Sequence, residues 1–400
     1  MSKSPFLIEL RFLVVASLIM SGFSYITNLF LAYSMGPEIF GQYTYALVLG
    51  ALFGQVVYFG SAETGINLVT NYGEDALNWI LTARIINFLL VSIGTLFVFL
   101  INSDTVTLFA LVVTLSSLSF ATQYEAKGRN VRYASVYLVE RILIAIFIWI
   151  GLLKFDSHLL LWVFGTILVF QGASLVFQYT EHMATRITLN RKGLFNVYKE
   201  GFLVFVFALS KFAFGGVTRI LIINQLGAER MGIFAAAWQF VPVSTLYFAQ
   251  TTKTWRLQIT RSLKEGDTDK FLENLKAVTL FVMVPSFFSA VVFWVFGREI
   301  IDFLLPSEYH DAGFLMPYIG VYFLVVGFDS VIVLLAIANS MVRLASIIYV
   351  AFSGLTIFAC LLLSTDAGLE RYLLIIVFGH FFAAAVVGGA LFRSVRAALP

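Results

Sequence analysis

The chain has 400 residues, 60% hydrophobic and 12% charged, with a formal net charge of +3. That much apolar surface excludes a soluble globular domain and a nucleic-acid binder, and points to a protein that crosses a membrane many times. The 42 Phe and only 7 Pro suit long helices in lipid rather than the polar–apolar alternation of a barrel, and the single cysteine, Cys360, excludes intrachain disulfides and multi-cysteine metal sites.

A spanning helix needs about 20 apolar residues. In chain order such runs fall near residues 12–34, 41–62, 79–101, 105–124, 133–153 and 158–179, then near 200–224, 231–252, 275–297, 313–338, 342–364 and 371–392. The first run is too long for the core of a signal peptide and is read as a span. The expected fold class is therefore an all-α polytopic membrane protein of about 12 transmembrane helices.

The turn between the first two runs reads SMGPEIFGQYTYA (34–46), and the turn between the seventh and eighth reads QLGAERMGIFAAA (225–237). Aligned without gaps, Gly36 meets Gly227, Glu38 meets Glu229, Gly41 meets Gly232 and Ala46 meets Ala237. The two turns lie six runs apart, so both face the same side of the membrane. This is the pattern of parallel repeats related by an axis along the membrane normal. A favoured Gly-x-Glu hairpin turn would account for part of the match, since Gly takes left-handed backbone and Glu suits a helix start. Gly36, Gly41, Gly227 and Gly232 are the candidate hinge and turn residues. The repeat divides the chain into a first six-helix bundle over 1–185, a linker over 186–199 and a second bundle over 200–400.

Basic residues set the orientation. Of the 26 Lys and Arg, four lie well inside runs rather than at their ends (Arg84, Arg141, Lys211, Arg219). With the N-terminus inside, four fall in outer segments (Lys154, Arg230, Arg298, Arg371) and the other 18 in cytoplasmic ones. The positive-inside rule then places both termini in the cytoplasm. The longest polar loop, from Lys253 to Lys276, is cytoplasmic and reads as helical, with Asp267 or Thr268 as N-cap.

Polar groups inside the runs are costly, roughly 2.5–3.5 kcal/mol for a charge at mid-span, so they mark structure or function. Ser17, Ser21, Ser24 and Asn28 share one face of the first span. Gln239 and Gln250 share one face of the eighth. These read either as glue between helices or as a cavity lining. Tyr133, Tyr137 and Arg141 form a stripe on the fifth span. Lys211, Gly215 and Arg219 form one on the seventh, where glycine would leave room between two cations for an anion. Arg141 has Glu140 beside it as a local acid. Arg84, a turn inside its span, would snorkel to the cytoplasmic headgroups. Asp329 can pair with Lys211 or Arg219, or titrate; with Glu63 and His380 it is a candidate for ion coupling. Neither a phosphate-binding loop nor a dinucleotide fingerprint occurs, and no cofactor, metal site or enzyme activity is expected.

Six stretches, in order along most of the chain, carry a family likeness: NLFLAYSMGPEIFGQYTYAL (28–47), YFGSAETG (58–65), YEAKGRNVRYASVYLVERI (124–142), TRILIINQLGAERMGIFAAAWQF (218–240), KEGDTDKFLENL (264–275) and REIIDFLLPSEYHDAG (298–313). With them the chain resembles the Wzx-type O-antigen flippases, the polysaccharide-transporter branch of the multidrug/oligosaccharidyl-lipid/polysaccharide (MOP) exporters. It departs from them in having Thr218 before Arg219 where the family often has Asp, and Glu63 where a basic residue is common.

The resemblance implies two six-helix bundles around a central cavity, as in the related MATE exporters. It implies a bacterial inner-membrane protein that moves undecaprenyl-diphosphate-linked oligosaccharide to the periplasmic leaflet by alternating access. Ion-gradient coupling and work alongside a polysaccharide polymerase and a chain-length regulator go with it. Arg141, Lys211 and Arg219 would meet the diphosphate, and the Ser, Asn and Gln faces the sugars. A MATE-like drug or cation exporter would share the fold but favour acids in its cavity. A membrane polymerase or ligase would want a larger outer loop than the one over 297–313.

Overall fold

The computed structural model of the chain describes residues 5–154, 158–182, 185–339, 341–364 and 367–398. Among these residues there are helices and no strands, and ten helical segments are long and apolar enough to cross a membrane. This is a multi-pass membrane protein.

The sequence pattern called for twelve spans, and the difference has a local cause. The first two runs lie in one segment, Val15–Tyr72, whose helix is interrupted by a kink at Gly36 (φ 67°, ψ 169°). The eighth breaks at Gln239–Phe240 between a short helix, Ala228–Trp238, and a polar one, Val241–Glu265. The second of these, with its Gln, Thr, Lys and Arg residues, is not apolar enough to count as a span. The polar loop expected to be helical is so: Asp267 caps the helix Thr268–Leu304, its Oδ1 accepting the Lys270 amide at 3.1 Å.

By their contacts the residues group into two units. One comprises Met1–Met35 with Gln42–Leu209; the other comprises Gly36–Gly41 with Ser210–Pro400.

In the first unit, the helix Asp75–Asn102 shows how a membrane protein inverts the soluble pattern. Leu89, Ile93, Leu96, Phe97 and Leu100 are exposed, while Thr82, Arg84, Asn87 and Thr95 are buried. The apolar face meets lipid, and polar groups are confined to where other helices can satisfy them. They do so at two helix breaks. The second run ends at Phe59 (φ 44°) and Gly60 (φ 75°), both left-handed, before the helix Ser61–Tyr72 begins. The fourth is interrupted by a 3-10 turn at Leu115–Leu118.

Asn87 Nδ2 donates to the carbonyls of Val56 and Val57, each at 3.3 Å, and Asn87 Oδ1 accepts from Tyr198 OH at 2.9 Å. Arg84 does not snorkel. Its side chain lies between the two breaks, 1% exposed. It donates to Ser61 Oγ (3.0 Å), Ser119 O (2.9 Å) and Thr122 Oγ1 (3.1 Å). Its guanidinium also lies 4.9 Å from the centre of the Tyr58 ring. Broken helices expose backbone carbonyls in a medium without water, and a guanidinium with five donors is suited to collect them.

In the second unit, the turn residues of the repeat adopt matching backbones: Gly36 has φ 67°, ψ 169° and Gly227 has φ 89°, ψ 174°. This conformation is essentially restricted to glycine. The stretch from Arg191 to Leu226 is helical throughout but contains a π turn at Ala213–Val217.

Candidate functional site

Each unit holds its own polar group inside the spans. In the first unit, Ser24, Thr27, Asn28, Tyr43, Arg141 and Gln171 line a cavity of about 200 Å³ with apolar residues around them. The tyrosine stripe of the fifth span holds Arg141 in place. Its Nη2 donates to Tyr137 OH and its guanidinium lies 4.6 Å from the centre of that ring. Tyr137 in turn stacks on Tyr133 at 6.1 Å. Tyr43 OH donates to Asn28 Oδ1 at 3.1 Å. Glu140 does not pair with Arg141. It lines a separate groove between the helices Asn130–Leu152 and Leu159–Glu181, with Ser174 and Phe177.

In the second unit, Asp329 is the centre. Its carboxylate is 1% exposed and accepts from Lys211 Nζ at 2.5 Å and from Tyr349 OH. His380 Nε2 lies 3.3 Å from the same carboxylate, and His380 Nδ1 is 3.2 Å from Tyr322 OH. The imidazole stacks on Phe214, ring centres 4.7 Å apart. The sequence left Asp329 open to Lys211 or Arg219, and it meets Lys211. Lys211 keeps 30% of its side chain exposed, so it is the accessible end of a buried charge pair.

Arg219 turns back onto the π turn, where its Nε donates to the Gly215 carbonyl at 2.9 Å. Its guanidinium sits 5.5 Å from the centre of the Trp238 ring. A π turn frees a carbonyl from the regular ladder, and the guanidinium takes it up. The space left by Gly215 is filled by Trp238: a Cβ there would stand 2.6 Å from Trp238 Cζ2. It is not open to an anion.

Among the described residues, neither Arg141 nor Arg219 has a carboxylate at ion-pair distance. Each guanidinium is instead held by an aromatic ring and a neutral oxygen. This arrangement fixes the cation without neutralising it, so an anion that reaches it keeps the full attraction of a charge in a low-dielectric setting.

Ser17 and Ser21 lie on the same helix as Ser24 and Asn28, outside the cavity lining. Gln239 stands at the helix break, buried, with neither amide atom partnered among the described residues. The side chain of Gln250 lies outside the described residues. Glu63, in the first turn of Ser61–Tyr72, is exposed. Sequence reasoning missed Thr27, Gln171, Tyr322, Tyr349 and Trp238. A glutamine within an apolar run, as at 171, was the one signal available; an aromatic at a span's inner face carries none. A cavity of about 730 Å³ is lined by loop and helix-end residues of the second unit, including Arg230, Asp311 and Glu370. It holds none of the intramembrane charges.

No protein-family model matches the chain, and no curated protein does. Solved structures match over nearly its whole length. The chain is similar to the lipid II flippase MurJ in an inward closed conformation, with TM-score 0.72 and 13% identity over 96% of this chain and 87% of that one. It is similar to an inward-facing multidrug resistance MATE family transporter of the MOP superfamily, with TM-score 0.66 and 14% identity over 97% and 95%. A third is a MOP superfamily transporter from Pyrococcus furiosus, described by the reversed polarity of its binding pocket, with TM-score 0.61 and 12% identity over 98% and 96%. At these identities the likeness shows the fold alone.

Proposed function

We propose that this chain is a flippase that carries undecaprenyl-diphosphate-linked oligosaccharide from the cytoplasmic to the periplasmic leaflet of a bacterial inner membrane. In this reading it has twelve spans in two parallel six-helix bundles, both termini in the cytoplasm, and works by alternating access. The observation that carries the reading is the pair of intramembrane guanidiniums, Arg141 and Arg219, without carboxylate partners among the described residues. Charges of this kind are expensive to insert and are retained either to satisfy the fold, as Arg84 does at its helix breaks, or to meet an anion. A diphosphate head is such an anion. The MurJ-like fold supports the assignment.

Coupling follows from the Asp329 cluster. With Asp329 ionised, Lys211 is committed to it. A proton taken up by Asp329, through His380 or directly, would release the ammonium to the substrate's phosphates. Return of the proton would reclaim Lys211 and let the substrate go. In this scheme Ser24, Asn28 and Gln239 are available to sugar hydroxyls, and a polymerase and a chain-length regulator would receive the product.

A drug or cation exporter on the same fold would need an open acid in its site. Asp329 is closed off, with Lys211, Tyr349 and His380 on its oxygens. The deciding experiment locates lipid-linked oligosaccharide in cells carrying the wild type, Arg219→Ala or no protein. Accumulation on the cytoplasmic leaflet with loss of surface polysaccharide is the expected result. Normal surface polysaccharide in cells lacking the protein ends the flippase reading and makes drug efflux the next assay.

A further inference from the structure

We propose that the cavity inside the first unit is a binding site for one hydroxylated carboxylate, the chemistry of an acidic sugar. Three observations converge on it. The first is charge. Arg141 is the single ionisable cation on the cavity wall, and no Asp or Glu lines the cavity among the described residues. Tyr137 fixes the guanidinium by a hydrogen bond and a ring face, both neutral. The wall is therefore net positive and pre-organised, and an anion entering it displaces no internal counter-ion.

The second is unmet hydrogen bonding. Gln171 is 4% exposed and Thr27 6% exposed, and Gln171 Oε1 and Thr27 Oγ1 are buried without a partner among the described residues. Both residues line the cavity. Buried polar atoms of this kind are normally satisfied, and orphans beside a cavity mark where a guest supplies the missing partner. Tyr43 OH donates to Asn28 Oδ1, which leaves the Asn28 amide nitrogen as a donor.

The third is the balance of donors and acceptors. A bare halide accepts hydrogen bonds only, so it would pair with Arg141 and leave Gln171 Oε1 unmet. A neutral sugar would satisfy Gln171 but leave Arg141 without a counter-charge. A carboxylate that also carries hydroxyls satisfies both ends: carboxylate to Arg141 and Asn28, hydroxyls to Gln171 and Thr27. At about 30 Å³ per water, the cavity of about 200 Å³ takes the place of roughly seven waters, a guest of one small ring rather than a drug-sized molecule.

The site shares Arg141 and Asn28 with the flippase reading and gives Arg141 a carboxylate in place of the diphosphate, but its test is binding alone, so it can fail while that reading stands. The guest can be a free hydroxy acid or an acidic sugar of a lipid-linked cargo. The test uses the full-length protein purified in detergent, titrated with D-glucuronate, D-glucose and sodium chloride at matched ionic strength. Binding is read by calorimetry and by the shift in melting temperature. Glucuronate should bind and raise the melting temperature, with glucose and chloride at least tenfold weaker. Arg141→Gln should weaken glucuronate about 10–100-fold, the loss of one charge-assisted hydrogen-bonded pair. Gln171→Glu, which keeps the shape of the cavity but places a carboxylate in it, should abolish binding.

A melting temperature near wild type in the absence of ligand shows that each variant is folded. Equal binding of glucose, equal binding of chloride, or undiminished glucuronate binding in Gln171→Glu overturns the proposal. A second arm separates the two sources. In cells whose surface polysaccharide contains an acidic sugar, lost export with Arg141→Gln assigns the site to cargo, and unchanged export assigns it to a free acid.

Discussion

Gly41 and Gly232 pack backbone to backbone: a Cβ built on Gly41 would stand 3.0 Å from the nitrogen of Gly232. The contact is reciprocal in the terms of the repeat. Gly41 lies against the carbonyl of Ala228, and Gly232 lies against the carbonyl of Pro37, the residue that Ala228 matches. The recurring turn thus has two glycine requirements of different kinds. Gly36 and Gly227 serve the bend, through their left-handed φ. Gly41 and Gly232 serve the contact, through their missing side chains.

These two requirements are separable by alanine substitution. Gly227→Ala meets nothing within 4 Å, so its cost is backbone strain alone, about 1–3 kcal/mol. Gly41→Ala and Gly232→Ala place a methyl into a carbonyl oxygen, and relief requires the two turns to move apart. Both should lower the melting temperature and abolish export at matched protein levels. Cysteines at 41 and 228 should cross-link if the contact forms in the membrane. Wild-type export in both alanine variants would remove the contact from the working cycle.

The Lys211–Asp329 pair predicts strong non-additivity. Lys211→Met leaves a carboxylate that is 1% exposed with its cation removed, on the order of 3–5 kcal/mol of destabilisation. Asp329→Asn in the same chain removes the stranded charge, and the double variant should recover most of the lost melting temperature. Two single effects that merely add would show that the pair does not interact in the membrane. If Asp329 carries the coupling proton, Asp329→Asn alone should bind cargo yet show export that no longer responds to a pH gradient.

Arg84 should be a folding determinant rather than a transport residue. Arg84→Gln withdraws donors from Ser61, Ser119 and Thr122 together, leaving buried acceptors at about 1–3 kcal/mol each. The expected outcome is a large fall in folded protein recovered from membranes, measured by fluorescence-detected size exclusion. Arg84→Lys should not rescue it, because one ammonium cannot reach three acceptors in the guanidinium's fork. Normal recovery of Arg84→Lys would argue for a charge requirement in place of a geometric one.

Gly215→Val drives a side chain into the Trp238 ring that lies under Arg219. The cation–π contact, about 0.5–2 kcal/mol, should be lost along with the π turn's cap. Tryptophan fluorescence of the variant should shift to longer wavelength as Trp238 moves, and export should fall. An unchanged spectrum would place Trp238 elsewhere.

Much of the site could be named from sequence but not assembled. Arg141, Ser24 and Asn28 were identifiable as polar groups in apolar runs, and they do share one cavity. Ser17 and Ser21 met the same criterion and lie outside it, because a helical face says which way a side chain points and not what stands opposite. Gly215 was read as room for an anion, and the room is taken by Trp238, a residue whose own run gave no sign of it. Arg84 was assigned to the headgroups by its depth. Depth assumes a continuous span, whereas the helices around Arg84 break at Phe59–Gly60 and Leu115–Leu118 and wrap it.

By itself the sequence determined that this chain lives in a membrane and where it turns. Transfer of a side chain into lipid is nearly additive along a run, and the preference of Gly36 and Gly227 for left-handed backbone is a property of one residue. Only the tertiary structure decided which charges are neutralised. Lys211 and Asp329 are 118 residues apart, and whether a buried cation is paired, capped by a carbonyl or left to meet an anion depends on which helices pack around it. The interaction energy of two charges falls with their distance in space. Distance along the chain does not enter it.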